Sequence, residues 1–190
     1  GKYRSRPMEN IVAEAEELAR SGVKELIVIA QDITRYGLDC YGAHKLPELL
    51  RKLCGISGIH WIRLHYLYPD EITAELIDVV AAEKKILPYL DIPIQHCSDA
   101  VLKAMNRRGD KAYLAELFAG LRARIPGLVL RTSIIAGLPY EDEAAFEELC
   151  DFLREQKFER AGVFPYSPEE GTPAAAMENR VDEEEANRRV

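Results

Sequence analysis

Short apolar runs alternate with amphipathic segments along the whole chain, and this alternation constrains the fold more than any other feature. Residues 86–109 show one unit of the pattern: residues 89–95 are typical of a strand, and the segment after them carries an apolar stripe at helical spacing. Ser98 or Asp99 is expected to be the N-cap of that helix, and Gly109 to follow its end. The unit is therefore a strand followed by a helix.

The same design recurs before and after this unit. We predict further strands over residues 24–30, 59–67, 128–136 and 161–166, and helices over residues 8–21, 46–53, 70–82, 112–124, 141–156 and from 182 onward. Asp70 is expected to cap the helix that it begins, and the strand over 24–30 is expected to be buried because it is apolar throughout. Alternation at about thirty to forty residues per unit indicates an α/β fold with a parallel sheet.

Polar side chains share one face of three predicted strands, since successive side chains of a strand point to opposite faces. The pairs that share a face are Arg63 with His65, Asp91 with Gln95, and Arg131 with Ser133. A strand that is buried on both sides should be apolar on both sides. We therefore predict a partial parallel barrel or cleft that holds a polar ligand near the carboxyl ends of its strands.

The composition is that of an ordinary folded protein, with 190 residues, 47% of them hydrophobic and 30% charged. We expect one folded domain, cut from a longer protein because the chain stops at Val190 in a charged stretch. Neither a signal sequence nor an apolar run of about 18 residues is present, so we expect a cytoplasmic protein without a membrane partner. The net charge of -7 disfavours a broad nucleic-acid surface and suits a basic partner.

Cysteines do not form a metal motif in this sequence. Cys40, Cys54, Cys97 and Cys150 are far apart, which predicts free thiols rather than a zinc or iron–sulfur site. His96 and Cys97 are adjacent, and adjacent strand residues point to opposite faces, so they are poorly placed to chelate one ion.

Arg131 is the sharper signal of a ligand, because a guanidinium inside an apolar strand needs a partner, and Asp32 or Asp91 can serve. His65 beside Arg63 can bind a carboxylate or phosphate, or can be a core histidine. His44 and His60 are expected to be structural or exposed. The sequence has no glycine-rich phosphate loop, nucleophile elbow or HExxH motif.

Three long segments closely resemble the radical SAM methylthiotransferases: RGDKAYLAELFAGLRARIPGLVLRTSIIAGLPYE, PIQHCSDAVLKAMNRRG and FPYSPEEGTPAA. Within that family, IAQDITRYG, HYLYPDEI, LDIPIQHCSD and SPEEGT are similar to the enzymes that methylthiolate an aspartate of a small-subunit ribosomal protein. The tRNA-modifying relatives typically read more like GQN-x-N-x-YG, PLQSGS and S-x-R-x-GT. This chain has Gln31-Asp32, His96-Cys97 and Glu169-Glu170 there instead.

The resemblance implies a radical SAM type of partial (β/α) barrel over residues 1–180, truncated at its N-terminal end. Residues 181–190 would begin a linker or helix toward a missing C-terminal domain. The cofactors implied are S-adenosylmethionine (SAM) and two 4Fe-4S clusters, whose ligands lie outside this chain because the Cys-x-x-x-Cys-x-x-Cys motif is absent. The reaction implied is cleavage of SAM to a 5′-deoxyadenosyl radical, hydrogen abstraction from the aspartate β-carbon and insertion of a methylated sulfur, and we expect this fragment alone to be inactive.

The resemblance also implies SAM contacts by position. Gln31 and Asp32 match the region that meets the methionine part, and Tyr166 and Ser167 match the segment near the adenine. The other cofactor-binding candidates are Arg63, His65, Gln95, His96, Ser98, Arg131, Ser133 and Gly137. Tyr140 departs from the pattern, since the family usually has glycine there.

Two other functions remain open from the sequence. One is a tRNA adenosine methylthiotransferase, and the other is a cluster-free barrel acting as a lyase, isomerase or binding module. The acidic residues Glu169, Glu170 and 182–185 favour a basic ribosomal protein as the substrate and disfavour nucleic acid.

Overall fold

Residues 3–190 are described by the computed structural model of this chain. The strands are β1 (Glu25–Val28), β2 (Trp61–Leu64), β3 (Ile86–Asp91), β4 (Val129–Ala136) and β5 (Arg160–Pro165). The helices are α1 (Met8–Arg20), α2 (Leu46–Cys54), α3 (Ala74–Ala82), α4 (Asp99–Ala104), α5 (Lys111–Arg124), α6 (Glu143–Gln156) and α7 (Glu183–Arg188), with 3₁₀ turns at Pro69–Glu71 and Ala174–Ala176. All the strand pairs described below are parallel, which confirms the predicted α/β class.

The chain divides into two compact units. The first unit contains Gly1–Ile92 and Leu121–Val129, and the second contains Pro93–Gly120 and Leu130–Val190. No helix within residues 3–190 combines the length and apolarity that a bilayer crossing requires.

In the first unit, β2 pairs with both β1 and β3. Glu25 lies opposite Trp61, and Leu64 lies opposite Leu90, with an irregularity in register between Ile62 and Leu64. Apart from Asp91, the buried residues of these strands are apolar, and helix α2 adds four buried leucines, Leu46, Leu49, Leu50 and Leu53. The predicted start of α2 is confirmed, since Pro47 occupies its first turn, where a missing N–H costs no hydrogen bond.

Two predictions for the first unit are wrong. The strand over 24–30 is not buried on both sides, because Ile27 and Ile29 are 55% and 57% exposed. Asp70 does not cap α3 but lies in the 3₁₀ turn, and Thr73 is the cap, its hydroxyl accepting a hydrogen bond from the N–H of Leu76 at 3.2 Å. The 3₁₀ turn begins at Pro69, and helix α3 begins only after Thr73.

In the second unit, β4 pairs with β5 from Arg131 opposite Arg160 to Ala136 opposite Pro165. Leu130, Ile134 and Ala136 of β4 are buried, and so is Phe118 of α5, whose ring meets that of Phe158 edge-on with centroids 5.0 Å apart. Helix α6 begins at its cap Asp142, which accepts a hydrogen bond from the N–H of Ala145 at 2.8 Å.

The strand and helix within residues 86–109 both end earlier than predicted. Strand β3 stops at Asp91 instead of residue 95, because Pro93 has no N–H to donate, and only Gln95 of the following segment makes an isolated bridge, to Ile134. Helix α4 begins after Ser98, as expected, but it ends at Ala104. Asn106 takes the left-handed conformation with φ 52°, so Gly109 belongs to the loop before α5.

Candidate functional site

Backbone hydrogen bonds gather the segments that follow the three strands of the first unit. The N–H of Ile33 donates to the carbonyl of Tyr66 at 3.1 Å, and the N–H of Leu67 donates to the carbonyl of Asp91 at 2.9 Å. The predicted site residues Asp32, His65 and Asp91 therefore lie along one edge, at the carboxyl ends of the strands. This is the edge where parallel α/β folds place their ligands.

Asp32 shapes the loop after β1. Its carboxylate is nearly buried, accepts hydrogen bonds from the N–H of Thr34 at 2.9 Å and from the Thr34 hydroxyl, and lies 3.2 Å from Nε of Arg35. The Tyr3 hydroxyl donates to the carbonyl of Asp32 at 3.0 Å. Gln31, by contrast, is exposed. Asp32 thus orders this loop, and Gln31 is the residue of the pair that the loop presents to solvent.

Arg35 joins this loop to the 3₁₀ turn at Pro69–Glu71. Its Nη2 lies 3.2 Å from Glu71 and 4.0 Å from Asp70. His44 supports the same arrangement, with Nδ1 3.0 Å from the carbonyl of Thr34 and Nε2 3.4 Å from Glu71. Sequence reasoning missed Arg35 and Glu71, although adjacent carboxylates after a proline were a visible signal. The expectation that His44 and His60 are each structural or exposed is confirmed, since His44 makes these contacts and His60 is exposed.

Polar side chains of β2, β3 and the residue after β2 meet on one face of the sheet, as strand parity predicted. Nε of Arg63 donates to Glu25 at 2.7 Å, and its guanidinium lies 5.0 Å from the centre of the Tyr89 ring. Nδ1 of His65 lies 3.5 Å from the fully buried carboxylate of Asp91. The buried Nε2 of His65 has no hydrogen-bond partner among residues 3–190. Asp91 can hold the imidazole in one orientation.

The second unit gathers its own polar residues at strand carboxyl ends. The N–H of Gln95 donates to Ser133, and the carbonyl of Gln95 accepts from Ile135, both at 2.9 Å. The N–H of Tyr166 donates to the carbonyl of Ala136 at 2.8 Å. Gln95 therefore lies beside Ser133 and Tyr166 lies beside Ala136, whereas Ser167 is exposed. The Tyr166 hydroxyl is buried without a hydrogen-bond partner in the described chain.

Arg131 lies on the polar face of β4, as predicted, and is half-buried. Its Nη1 lies 3.4 Å from the hydroxyl of Ser133. Arg131 belongs to the second unit, whereas Asp32 and Asp91 belong to the first. Pairing of Arg131 with either aspartate stays a prediction.

His96 is fully buried rather than open to a ligand. Its Nδ1 accepts a hydrogen bond from the N–H of Ser98 at 2.9 Å, and its Nε2 lies 3.3 Å from the carboxylate of Glu141. Both oxygens of Glu141 lie 2.9 Å from the N–H of Gly137, and Nη1 of Arg189 donates to the same carboxylate at 2.9 Å. Sequence reasoning missed Glu141, because it reads as the first residue of a helix, and missed Arg189 in a charged tail.

The pKa of Glu141 reflects two opposing effects. Burial raises the pKa of this carboxyl. The contacts with His96, Arg189 and the N–H of Gly137 lower it by a larger amount, so the pKa lies below its ordinary value. Glu141 is therefore a carboxylate held ionised inside the unit, where its charge is balanced by Arg189.

The four cysteines are free thiols, as predicted. Burial raises the pKa of Cys97 to about 12 and that of Cys54 to about 11, which makes both poor thiolate ligands. Within residues 3–190 no group of three or more His, Cys, Asp or Glu side chains could hold a metal ion. The described residues therefore do not fit an iron–sulfur cluster.

Comparisons with known proteins show the family of this chain. The family model described as the Radical SAM superfamily matches residues 1–153. The ribosomal protein uS12 methylthiotransferase RimO of Pelotomaculum thermopropionicum is 59% identical over 97% of this chain and 41% of its own length. The protein of the same name from Clostridium tetani is 54% identical over 97% of this chain and 41% of its own length. The chain thus spans about two fifths of the length of these curated relatives.

Solved structures show the fold. The radical SAM methyltransferase TsrM of Kitasatospora setae has a TM-score of 0.67 at 17% identity, covering 84% of this chain and 31% of its own. Coproporphyrinogen III oxidase (HemN) of Escherichia coli, a radical SAM enzyme, has a TM-score of 0.63 at 18% identity, covering 100% of this chain and 42% of its own. The predicted fold class, the partial parallel barrel of radical SAM enzymes, is confirmed by these likenesses.

Proposed function

This chain belongs to the radical SAM superfamily, and we propose that it forms the SAM-binding core of a methylthiotransferase that modifies an aspartate of ribosomal protein uS12. The observation that carries the proposal is the identity of 54% to 59% with uS12 methylthiotransferases over 97% of this chain. The match covers nearly the whole chain. The activity belongs to the whole protein, of which this chain supplies the core.

We propose that SAM binds at the carboxyl ends of parallel strands, and each unit by itself has candidate polar groups there. In the second unit these are Gln95 and Ser133, which a backbone hydrogen bond holds side by side, and Tyr166, whose N–H donates to Ala136. The Tyr166 hydroxyl fits this assignment best, because a buried hydroxyl without a partner is unfavourable unless a ligand satisfies it. In the first unit Gln31 is the exposed polar group, and Asp32 holds its loop.

When bound, SAM supplies the methyl group and the radical chemistry, and the protein supplies orientation and electrostatics. The clusters of the whole enzyme would take their ligands from outside this chain, because its cysteines are scattered and two of them have raised pKa values. No step through a cluster is assigned to these residues.

The substrate class follows from charge as well as from similarity. Glu169 and Glu170 are exposed in the segment after β5, and the formal net charge of the chain is -7. Such a surface attracts a basic protein and repels a phosphate backbone. We propose that these glutamates meet basic residues of uS12.

The test uses the full-length protein, produced in cells that lack their own uS12 methylthiotransferase. Mass spectrometry of uS12 should show a methylthio group on one aspartate, and nucleoside analysis of tRNA should show no new methylthiolated adenosine. Methylthiolated adenosine with unmodified uS12 would assign the chain to the tRNA-modifying relatives. A protein that contains no iron and modifies neither substrate would contradict both assignments and leave the cluster-free barrel.

A further inference from the structure

Three ionisable side chains are almost completely buried in the second unit, and one of them, His96, directly follows Gln95, which is proposed to contact SAM. His96 and Glu141 are fully buried and the Arg189 side chain is 6% exposed. We call these three residues the Glu141 cluster. Buried charges require partners, and here Arg189 donates to Glu141 while the imidazole of His96 lies 3.3 Å from the same carboxylate.

The Glu141 cluster joins two turns that are strained. Gln95 precedes His96 and has φ 69°, and Tyr140 precedes Glu141 and has φ 68°. Side chains other than glycine keep such a conformation only where the surroundings hold it. The cluster holds the first turn through His96, which accepts the N–H of Ser98, and the second through Glu141, which accepts the N–H of Gly137.

Helix α7 completes this arrangement from the C-terminal end of the chain. Ala186 is buried against Gly137 so closely that a Cβ added to Gly137 would collide with that of Ala186. Nε of Arg189 donates to Glu185 at 2.7 Å, its Nη2 donates to Glu143 at 3.0 Å, and its guanidinium lies 4.8 Å from the centre of the Phe146 ring. Ala186 and Arg189 thus hold the turn over residues 137–141 in its conformation.

We propose that the Glu141 cluster is a positioning device for the SAM site, and that helix α7 is part of that site's framework. Arg189 holds Glu141, and Glu141 holds the Gly137 turn and faces His96, which holds the turn of Gln95 and Ser98. None of the three cluster residues contacts the ligand. This proposal rests on the proposed function for the identity of the ligand, and it replaces direct contact by His96 with an indirect role.

The test compares Arg189→Met with Arg188→Met in the full chain. Methionine keeps most of the side-chain length but removes the charge and all the hydrogen bonds of Arg189. Arg188 is the matched control, because it pairs with Glu185 as Arg189 does but is 62% exposed and does not reach Glu141. A third variant, Arg189→Lys, keeps the positive charge but replaces the planar guanidinium with one ammonium group.

Two measurements are made on each variant: calorimetric affinity for S-adenosylhomocysteine, and amide hydrogen exchange by residue. Arg189→Met should weaken affinity about tenfold or more and speed exchange at Gly137 and Ser98, without speeding exchange in the β4–β5 ladder. Arg189→Lys should recover part of both losses, and Arg188→Met should match the parent chain. A general loss of stability would instead speed exchange throughout the unit.

The proposal is overturned if Arg189→Met exchanges at Gly137 and Ser98 like the parent chain. It is also overturned if exchange rises there and ligand affinity is unchanged. Should Arg189→Met fail to fold, Arg189→Lys decides, since unaltered exchange at Gly137 in that variant would contradict the proposal. A parent chain that binds no S-adenosylhomocysteine would contradict the proposed function, and the exchange comparison would still decide whether Arg189 holds the two turns.

Discussion

Nδ1 of His65 lies 3.5 Å from the carboxylate of Asp91, which is fully buried at the carboxyl end of β3. We expect a double-mutant cycle of His65→Gln and Asp91→Asn to give a coupling energy of about 1 kcal/mol in urea unfolding, as for residues that share one polar interaction. Strictly additive single effects would show that the two side chains are independent. His60→Gln with Asp91→Asn is the control cycle, because His60 is exposed.

Tyr166→Phe should separate ligand binding from stability. Its hydroxyl has no hydrogen-bond partner in the described chain, so its removal should change the free energy of unfolding by less than about 1 kcal/mol. Affinity for S-adenosylhomocysteine should nevertheless fall. Tyr36→Phe is the matched control, since that hydroxyl donates to the carbonyl of Arg6 at 2.9 Å and its loss should cost about 1 kcal/mol without affecting affinity. Unchanged affinity in Tyr166→Phe would remove this hydroxyl from the proposed site.

Stability should fall in acid through Glu141. The pKa of this carboxyl in the folded chain lies below the ordinary value of 4.5, since its contacts outweigh the effect of burial. Its stabilising contribution is therefore fully present above pH 4.5 and is lost as the pH falls through the lowered pKa. Contacts with Arg188 and Arg189 lower the pKa of Glu185 to about 2, which acts in the same direction.

Urea midpoints measured from pH 7 downward check this prediction. Glu141→Gln should be less stable than the parent chain at pH 7, by about 3 kcal/mol, because it leaves a buried arginine without its carboxylate. Its decline below pH 4.5 should be shallower than that of the parent. Glu169→Gln, at an exposed position, should reproduce the parent profile, and an equally steep decline in Glu141→Gln would assign the acid sensitivity to other groups.

The chain by itself should bind no iron–sulfur cluster. Its cysteines are separated by 14 or more positions in sequence (40, 54, 97 and 150), and a cluster needs three thiolates at one place. After anaerobic reconstitution with iron and sulfide, we expect no stoichiometric iron and no thiolate-dependent absorption band. A cluster that survives gel filtration, and that is lost in Cys97→Ala, would contradict the assignment of its ligands to another part of the protein.

Affinity for uS12 should depend on the acidic segment after β5. In the full-length protein, Glu169→Gln with Glu170→Gln should weaken uS12 binding and reduce its salt dependence, because exposed charges are screened by salt. Glu16→Gln with Glu17→Gln is the control, since both lie exposed on helix α1 and remove the same charge. Equal loss in the two double variants would indicate an effect of net charge alone. Tight binding of tRNA that competes with uS12 would contradict the substrate assignment.

Local patterns in the sequence determined the elements of this fold. Helix α5 ends at Arg124, before Pro126, and strand β4 covers residues 129–136, both as predicted, because side-chain periodicity and proline act within a few residues of the chain. The polar face of Arg63, His65 and Asp91 was also predicted, since parity along a strand needs no knowledge of its neighbours.

Tertiary structure decided which of these side chains are exposed and which are buried against other side chains. His96 was predicted as a contact by its position, yet it is buried against Glu141, and Asp32 is occupied with Thr34 and Arg35. Glu141 and Arg189 are 48 positions apart. No periodicity relates such distant positions, because a buried carboxylate takes whatever cation the folded backbone brings within reach, and only the packing of α7 against Gly137 places Arg189 there.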